Sequence, residues 1–532
     1  MTRSTYADVE IPAVSVYQLL FAGLDEADLD RVALVDGTSG DETSYRQLIA
    51  QIDSLAGSLA ARGLAVGDTV GILCPNVPAF ATVFHGVLRA GGTATTINSL
   101  YTIGEIAEQL KSADAHWLFT VSALLPQAAE AAQAVGIADD HLVVIDGVEG
   151  HPSLRDLLFD RAAPPEVDFD PATHLAVLPY SSGTTGHPKG VMLTHRNLVA
   201  NVLQSEKVIG LGRDDRVLAV LPFFHIYGLS VLLDYALLKR ATLVTMPKFD
   251  LAEFLRIASS QRCTWLFIAP PIAVALAKHP LVDDVDLSGV DVIFSGAAPL
   301  SRELAEAVAE RIGCTVCQGY GMTEASPVTH AIPTDRPDID RSSIGLALPN
   351  TECRVVDPSS GLAVRVPRKG PSAPGELLVR GPQVMRGYLH DEESTAHALD
   401  RDGWLHTGDI ATVDRDGVYT IVDRLKELIK YKGYQVAPAV LEAVLLTHPD
   451  VVDAAVIGID DDDGQEVPKA FVVRRADAEI DEEMVMAFVA ERVAGHEKVR
   501  MVEFIEVIPK STSGKILRKD LRSKVGRHAA VG

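Results

Sequence analysis

With 532 residues, 47% of them hydrophobic and 23% charged, the chain can build more than one domain with its own core, and its composition excludes a disordered polyelectrolyte. A net charge of −24 excludes the broad basic surface of a nucleic-acid binder, so any anionic ligand must rely on a local concentration of Lys and Arg. Five cysteines make an odd count, the acids Asp8 and Glu10 stand where an apolar leader would, and no apolar run reaches the roughly 18 residues of a membrane span, so a cytoplasmic protein with reduced thiols is expected.

In chain order, β-branched runs alternate with amphipathic stretches: a helix over 45–62, a strand over 69–74 and a helix over 79–89. Strands follow at 175–178 and 191–194, then at 217–221, 242–246, 265–268 and 290–294, with helices at 251–260 and 302–312 between them. This is the pattern of a doubly wound α/β body with largely parallel sheets. Pro, Gly and charge rise near 333–340 and 367–374, at the edge of a strand-rich subdomain that runs to about residue 423. The remainder, with strands at 451–457, 470–473 and 501–507 and a helix at 483–493, forms a small α+β domain. Cys314 and Cys317 stand on the strand entering Gln318, without a second Cys pair or spaced histidines, so a metal role is not expected for them.

Between the strands at 175–178 and 191–194 runs Tyr180-Ser-Ser-Gly-Thr-Thr-Gly-His-Pro-Lys-Gly190. A Walker A loop ends Gly-Lys-[Ser/Thr], whereas here Lys189 precedes the last glycine and no hydroxyl follows. Exposed N–H groups, the hydroxyls of Ser181, Ser182, Thr184 and Thr185, the turn at Gly183 and the Lys189 cation nevertheless suit a polyphosphate. Toward the C-terminus, 510–527 holds seven Lys or Arg and one acid, which in isolation reads equally as a solvated basic tail.

This loop resembles the nucleotide loop of the adenylate-forming enzymes, the superfamily of acyl- and aryl-CoA synthetases, firefly-type luciferases and peptide-synthetase adenylation domains. Further motifs recur in that family's order: Phe223-Phe-His-Ile-Tyr227, Ser295-Gly-Ala-Ala-Pro299, Gln318-Gly-Tyr-Gly-Met-Thr-Glu324, Gly403-Trp-Leu-His-Thr-Gly-Asp409, the run 422–438 and the stretch 509–519. Phe-His-Ile-Tyr and Val422-Asp-Arg-Leu-Lys-Glu-Leu-Ile-Lys-Tyr-Lys-Gly-Tyr-Gln-Val-Ala-Pro438 most resemble the 4-coumarate–CoA ligase branch.

The resemblance implies an AMP- and acyl-binding domain over 1–424 and a mobile C-terminal domain over 425–532. It implies a ligase that joins a carboxylic acid to CoA with ATP and Mg²⁺, through an acyl-adenylate, with 4-coumarate- or cinnamate-like acids expected. A medium- or long-chain fatty acyl-CoA or acyl-AMP ligase is the alternative, and a luciferase-like oxygenase a more distant one. The expected partners are the acid, ATP and CoA, with no nucleic acid and no membrane span; oligomeric state is open. Ser181, Ser182, Gly183, Thr184, Thr185 and Lys189 would cover the β- and γ-phosphates, Thr323 reach the α-phosphate and Glu324 orient the metal. Ala297, Gln318, Gly319 and Tyr320 would border the adenine, and Asp409 and Arg424 hold the rest of the nucleoside. Lys515 is implied as the adenylation lysine and Lys426 as the hinge. Lys430 and Gln435 carry over as catalytic for the second step, and Lys248, Lys432 and Gly433 as CoA contacts. His225 and Tyr227 would line the acyl pocket with Ala297, Gly321, Pro327 and Val328. The flanking Lys510, Arg518 and Lys519 are expected to be solvated charges.

Overall fold

The computed structural model describes residues 2–181, 188–431, 434–461, 466–511 and 514–528. The alternation of strands and helices builds two large, mainly parallel sheets. In one, Val32–Asp36, Thr242–Thr245, Arg216–Ala219, Trp265–Ile268, Val292–Ser295 and Thr315–Gly321 lie side by side. In the other the order is Leu142–Val144, Ala115–Thr120, Thr69–Leu73, Thr93–Thr96 and Leu175–Val177, with Lys189–Thr194 added antiparallel. Strands covered on both faces read as continuous apolar runs, and every residue of Thr69–Leu73 and Trp265–Ile268 is buried.

Helices cover these faces. Tyr45–Ala61 starts where the Ser44 hydroxyl accepts from the Gln47 N–H at 3.2 Å and the Gln47 side chain accepts from the Ser44 N–H at 2.8 Å. That reciprocal cap satisfies two donors that a helix start leaves open, and Leu48, Ile52, Leu55 and Leu59 form the buried stripe. The strand expected to reach 221 stops at Ala219. Asn76 is the cause: its amide donates to the Ala219 and Leu221 carbonyls at 2.9 and 2.8 Å and its Oδ1 accepts from the Phe223 N–H at 2.8 Å. The chain is thereby peeled off the sheet just before His225.

Thr315–Gly321 is the seam of the large domain, parallel to Val292–Ser295 on one side and antiparallel to Val328–Ala331 on the other. Beyond it lies the strand-rich subdomain, where Gly345–Ala347, Val418–Arg424, Leu405–Val413, Gly375–Arg380 and Glu352–Val356 follow in antiparallel order.

The C-terminal domain is separate and has its own core. Val451–Asp460, Glu466–Arg474 and Met501–Phe504 form its sheet, and Leu441, Leu445, Val456, Val472, Val485 and Val489 pack beneath the helices Pro438–Leu446 and Glu482–Ala490. Among the described residues no helix is long and apolar enough to cross a membrane.

Candidate active site

The seam strand and the antiparallel subdomain carry the residues expected to hold a nucleoside. Tyr320, near the end of the seam, donates its hydroxyl to Asp409 at 2.5 Å, and Arg424, opposite Asp409 in the strand register, lies 3.6 Å from its other oxygen. Burial raises the Asp409 carboxyl above its ordinary 3.8, while the Arg424 charge, the Tyr320 hydrogen bond and the Lys515 charge hold it down. Gln318 stands beside them with its side chain already engaged: its amide bonds Leu300 through both the N–H and the carbonyl, at 3.2 and 3.1 Å, and also reaches the Arg341 carbonyl. The Gln318 side chain thus braces the loop after Ser295, and its backbone carbonyl accepts from the Ile332 N–H at 2.9 Å.

Glu324, in the turn after the seam, is buried, and its Oε1 accepts from the Ser181 hydroxyl at 3.2 Å and the Tyr388 hydroxyl at 2.9 Å. Thr323 opens the same short helical turn. Lys189 extends to the other side of Tyr388: its ammonium lies 5.2 Å from the ring centroid, donates to the Ser394 hydroxyl and stands 3.7 Å from Asp391. Tyr388, Asp391 and Ser394 were not singled out from the sequence. Asp391 and Ser394 carry the signature of a capped helix start, Asp-x-x-Ser, and the cap itself is present, with Asp391 accepting from the Ser394 N–H at 2.8 Å. Only folding brings that cap against Lys189. Ser182, Gly183, Thr184 and Thr185 lie outside the described residues.

Of the residues expected to line an acyl pocket, His225 lies on the chain released by Asn76 and is followed by a π-helix, Tyr227–Asp234, an uncommon form often found at functional sites. Burial, with the Lys515 charge nearby, pushes the His225 imidazole down from 6.5 to about 4, so it is neutral near pH 7. The Tyr227 hydroxyl donates to the Phe294 carbonyl at 3.4 Å, and its ring lies over Gly296, where a Cβ would come within 2.7 Å of it. Ala297 holds φ +72°, a left-handed conformation that a non-glycine residue adopts at a cost. Gly321 is open to solvent, yet its missing side chain would point at the Pro327 carbonyl oxygen, 2.1 Å away. Gly321 can therefore offer a pocket only its backbone. Pro327 and Val328 are buried, and the Val328 backbone is tied at both its N–H and its carbonyl to Asn201, at 3.0 and 2.7 Å.

Lys515 enters from the C-terminal domain. Its side chain is accessible but deep in the cleft. Lost hydration, then the Arg424 charge, lower its pKa from 10.5, and Glu324 and Asp409 pull it back up. The structure thus brings Lys515 together with His225, Glu324, Asp409 and Arg424. Gly514, beside it, has φ +82°, and a Cβ there would come 3.2–3.3 Å from Pro271 and Ala269 of the large domain. Two of the charges expected to be solvated are not. Arg518 pairs with the mostly buried Glu442 at 2.6 Å and donates to the Val456 carbonyl at 3.2 Å, and Lys510 pairs with Asp453 at 2.6 Å. They root the hairpin in which Lys510 bridges Ile516, whereas Lys519 is exposed as expected. Spacing alone could not separate the rooted charges from the free one.

The structure does not add the second-step residues to this group. Lys248 is exposed in the loop after Thr242–Thr245, and Lys426 is exposed just after Arg424. Lys430 is exposed on a small hairpin where it pairs with Gln435, its N–H bound to Glu466 at 2.8 Å. Lys432 and Gly433 lie outside the described residues.

A two-domain α/β fold that sets a lysine of its C-terminal domain beside a tyrosine-bound aspartate and a buried glutamate defines an adenylate-forming enzyme. Comparison with known proteins agrees. Residues 24–389 match the AMP-binding enzyme family and residues 440–515 the AMP-binding enzyme C-terminal domain. The chain is 42% identical to 4-coumarate–CoA ligase 1 of Solanum tuberosum over 535 residues, covering 98% of this chain and 96% of that one. Among solved structures, ATP-bound MatB from Rhodopseudomonas palustris is similar with a TM-score of 0.86 and 30% identity, over 96% of this chain and 99% of that one. An anthranilate–CoA ligase, AuaEII, in complex with anthranoyl-AMP, has a TM-score of 0.90 and 26% identity, over 98% of this chain and 99% of that one. The chain belongs to the AMP-binding enzyme family. It is an acid–thiol ligase of the acyl- and aryl-CoA kind, working through an adenylate with ATP and CoA as substrates.

Proposed function

We propose that this enzyme converts a 4-coumarate- or cinnamate-like aryl acid, ATP and CoA into the aryl-CoA thioester, AMP and diphosphate. The observation that carries the reading is the Lys515 ammonium placed near Asp409, Glu324, Arg424 and His225. An acid carboxylate oxygen attacks the α-phosphorus, the bond to the β-phosphate oxygen breaks, and diphosphate leaves. A cation at that junction stabilises charge as it builds on the α-phosphate and holds the two anions in line. Asp409 would accept from the ribose hydroxyls, as an ionised carboxylate can, with Tyr320 at the adenine, Thr323 at the α-phosphate and Lys189 drawn from Asp391 to the outer phosphates.

Glu324 fits Mg²⁺, a hard cation that takes carboxylate and phosphate oxygens: its buried carboxylate opens beside Ser181, at the root of the phosphate loop. The ion would neutralise phosphate charge there. In the second step the CoA thiolate attacks the acyl carbonyl and AMP leaves. This requires the domain over 425–532 to turn about Lys426 relative to 1–424, withdrawing Lys515 and presenting Lys430 and Gln435, with Lys248, Lys432 and Gly433 along the CoA path. The aryl preference is supported by the curated relatives. The cysteines form no disulfide, and Cys74, Cys263, Cys317 and Cys353 are buried, which fits a reducing cytoplasm.

Two measurements test this. CoA-dependent AMP release across hydroxylated, methoxylated and straight-chain acids should favour 4-coumarate, and turnover of long-chain fatty acids alone defeats the aryl reading. Lys515→Ala should lower acyl-adenylate formation on the order of 10²–10³-fold and spare thioester formation from supplied acyl-AMP; equal loss in both halves defeats domain alternation.

A further inference from the structure

The helix Pro438–Leu446, the first of the C-terminal domain, carries no charged cap of its own; among the described residues of its domain only the Thr447 hydroxyl, which donates to the Val444 carbonyl at 2.6 Å, and the N–H groups of Thr447 and His448 meet its last carbonyls. Its N-cap is Ala437, which has no side-chain acceptor, and it carries no acid in its first turn and no base in its last. Pro438 has no N–H, so Ala439 presents the first donor. That N–H is met by Asp423 of the large domain, whose Oδ2 accepts it at 2.8 Å while Oδ1 accepts the Arg424 N–H at 2.7 Å. At the other end Lys278, last residue of the large-domain helix Pro270–Lys278, donates to the carbonyl of Leu446, where the helix finishes, and to that of Val451, both at 3.3 Å.

An anion at the start of a helix and a cation at its end each stabilise it through its dipole and its open backbone groups. Here both are supplied across the domain boundary. Beside the Asp423 end the domain boundary is apolar, with Ile410 and Val422 of the large domain packing on Leu428 and Ala437. Asp423 and Lys278 precede the proposed hinge at Lys426, and the helix follows it, so a rotation about the hinge breaks both contacts together.

We infer that Asp423 and Lys278 form a two-ended clasp on the helix Pro438–Leu446 that holds the C-terminal domain in the orientation placing Lys515 in the cleft. They are positioning residues for adenylate formation, acting through Lys515, and the inference rests on the domain alternation proposed above. The clasp also explains why the large domain commits a surface lysine to two carbonyls of the neighbouring domain. Opening it is part of the passage to thioester formation.

The test separates the two half-reactions. Adenylate formation is read as acid-dependent pyrophosphate–ATP exchange with 4-coumarate, or whichever acid of the panel turns over fastest, and thioester formation as consumption of its synthetic adenylate with CoA. Lys278→Met should lower exchange about two- to fivefold and leave the thioester step unchanged or faster, and Lys278→Arg should retain exchange. Asp423→Asn should act in the same direction, while Lys278, being at the surface, gives the answer even if the Asp423 variant folds poorly. Equal losses in both halves for Lys278→Met, no loss in either, or failure of arginine to retain exchange overturns the clasp. Lys515→Ala in the same assays tells the two ideas apart. If it loses both halves alike, alternation fails and the clasp with it; if it splits the halves and Lys278→Met does not, the clasp alone fails.

Discussion

At the scale of single residues, two glycines that look alike in the motifs do different work. A Cβ at Gly296 would meet the Tyr227 ring at 2.7 Å, whereas one at Gly321 would meet the backbone oxygen of Pro327 at 2.1 Å. A ring at the edge of a pocket can move and a braced turn cannot. Gly296→Ala is therefore expected to shift Tyr227 and reorder kcat/KM across substituted aryl acids with little change in KM for ATP; each methylene of fit is worth about 1–3 kcal/mol. Gly321→Val is expected to lower the thermal midpoint and the yield of soluble protein, and a selectivity change at wild-type stability contradicts the geometry. The identity of both glycines was legible in the sequence. What each glycine makes room for was not, since the obstructing atoms belong to other segments.

At the scale of an element, the hairpin carrying Lys515 depends on charges that read as a basic tail. Glu442 accepts from Arg518 at 2.6 Å and from the Val456 N–H at 2.9 Å, joining helix, sheet and hairpin in one network. Removing one member of a buried pair strands the other charge, at a cost of roughly 3–5 kcal/mol. Glu442→Leu is expected to destabilise the C-terminal domain and slow pyrophosphate exchange. Adding Arg518→Met should recover much of the stability, because two apolar groups leave no charge unpaired. Calorimetry of the single and double variants checks this, and equal stability of the two contradicts the network. The helices and strands at 251–260, 265–268 and 302–312 lie where the hydrophobic period puts them, since that period is local. The π-helix Tyr227–Asp234 does not follow from any local pattern; its apolar residues would serve an ordinary helix equally well.

At the scale of the whole molecule, burial of histidines links the fold to pH. His330 is fully buried between Thr329 and Cys353, and burial pushes its imidazole from 6.5 down to about 3. The folded chain refuses a proton that the unfolded chain takes below pH 6.5. His330 thus contributes stability that is full above 6.5 and is lost as pH falls toward 3. His85, also lowered to about 3, adds the same sign, while its neighbour Asp234, whose carboxyl burial raises well above 3.8, opposes it. The thermal midpoint of His330→Asn should therefore fall less steeply than that of the wild type between pH 7 and pH 5. Parallel slopes contradict the assignment.

The sequence by itself determined the class of fold, the order of its motifs and the chemistry they serve, because strand and helix periods and glycine-hydroxyl loops are properties of neighbouring residues. Tertiary structure decided which charges work together. Lys189 with Asp391, Arg518 with Glu442 and Lys278 with the end of the helix Pro438–Leu446 are pairs separated by more than seventy positions in the chain. Electrostatic and hydrogen-bond energies depend on distance in space, and only the packing of the two domains sets those distances.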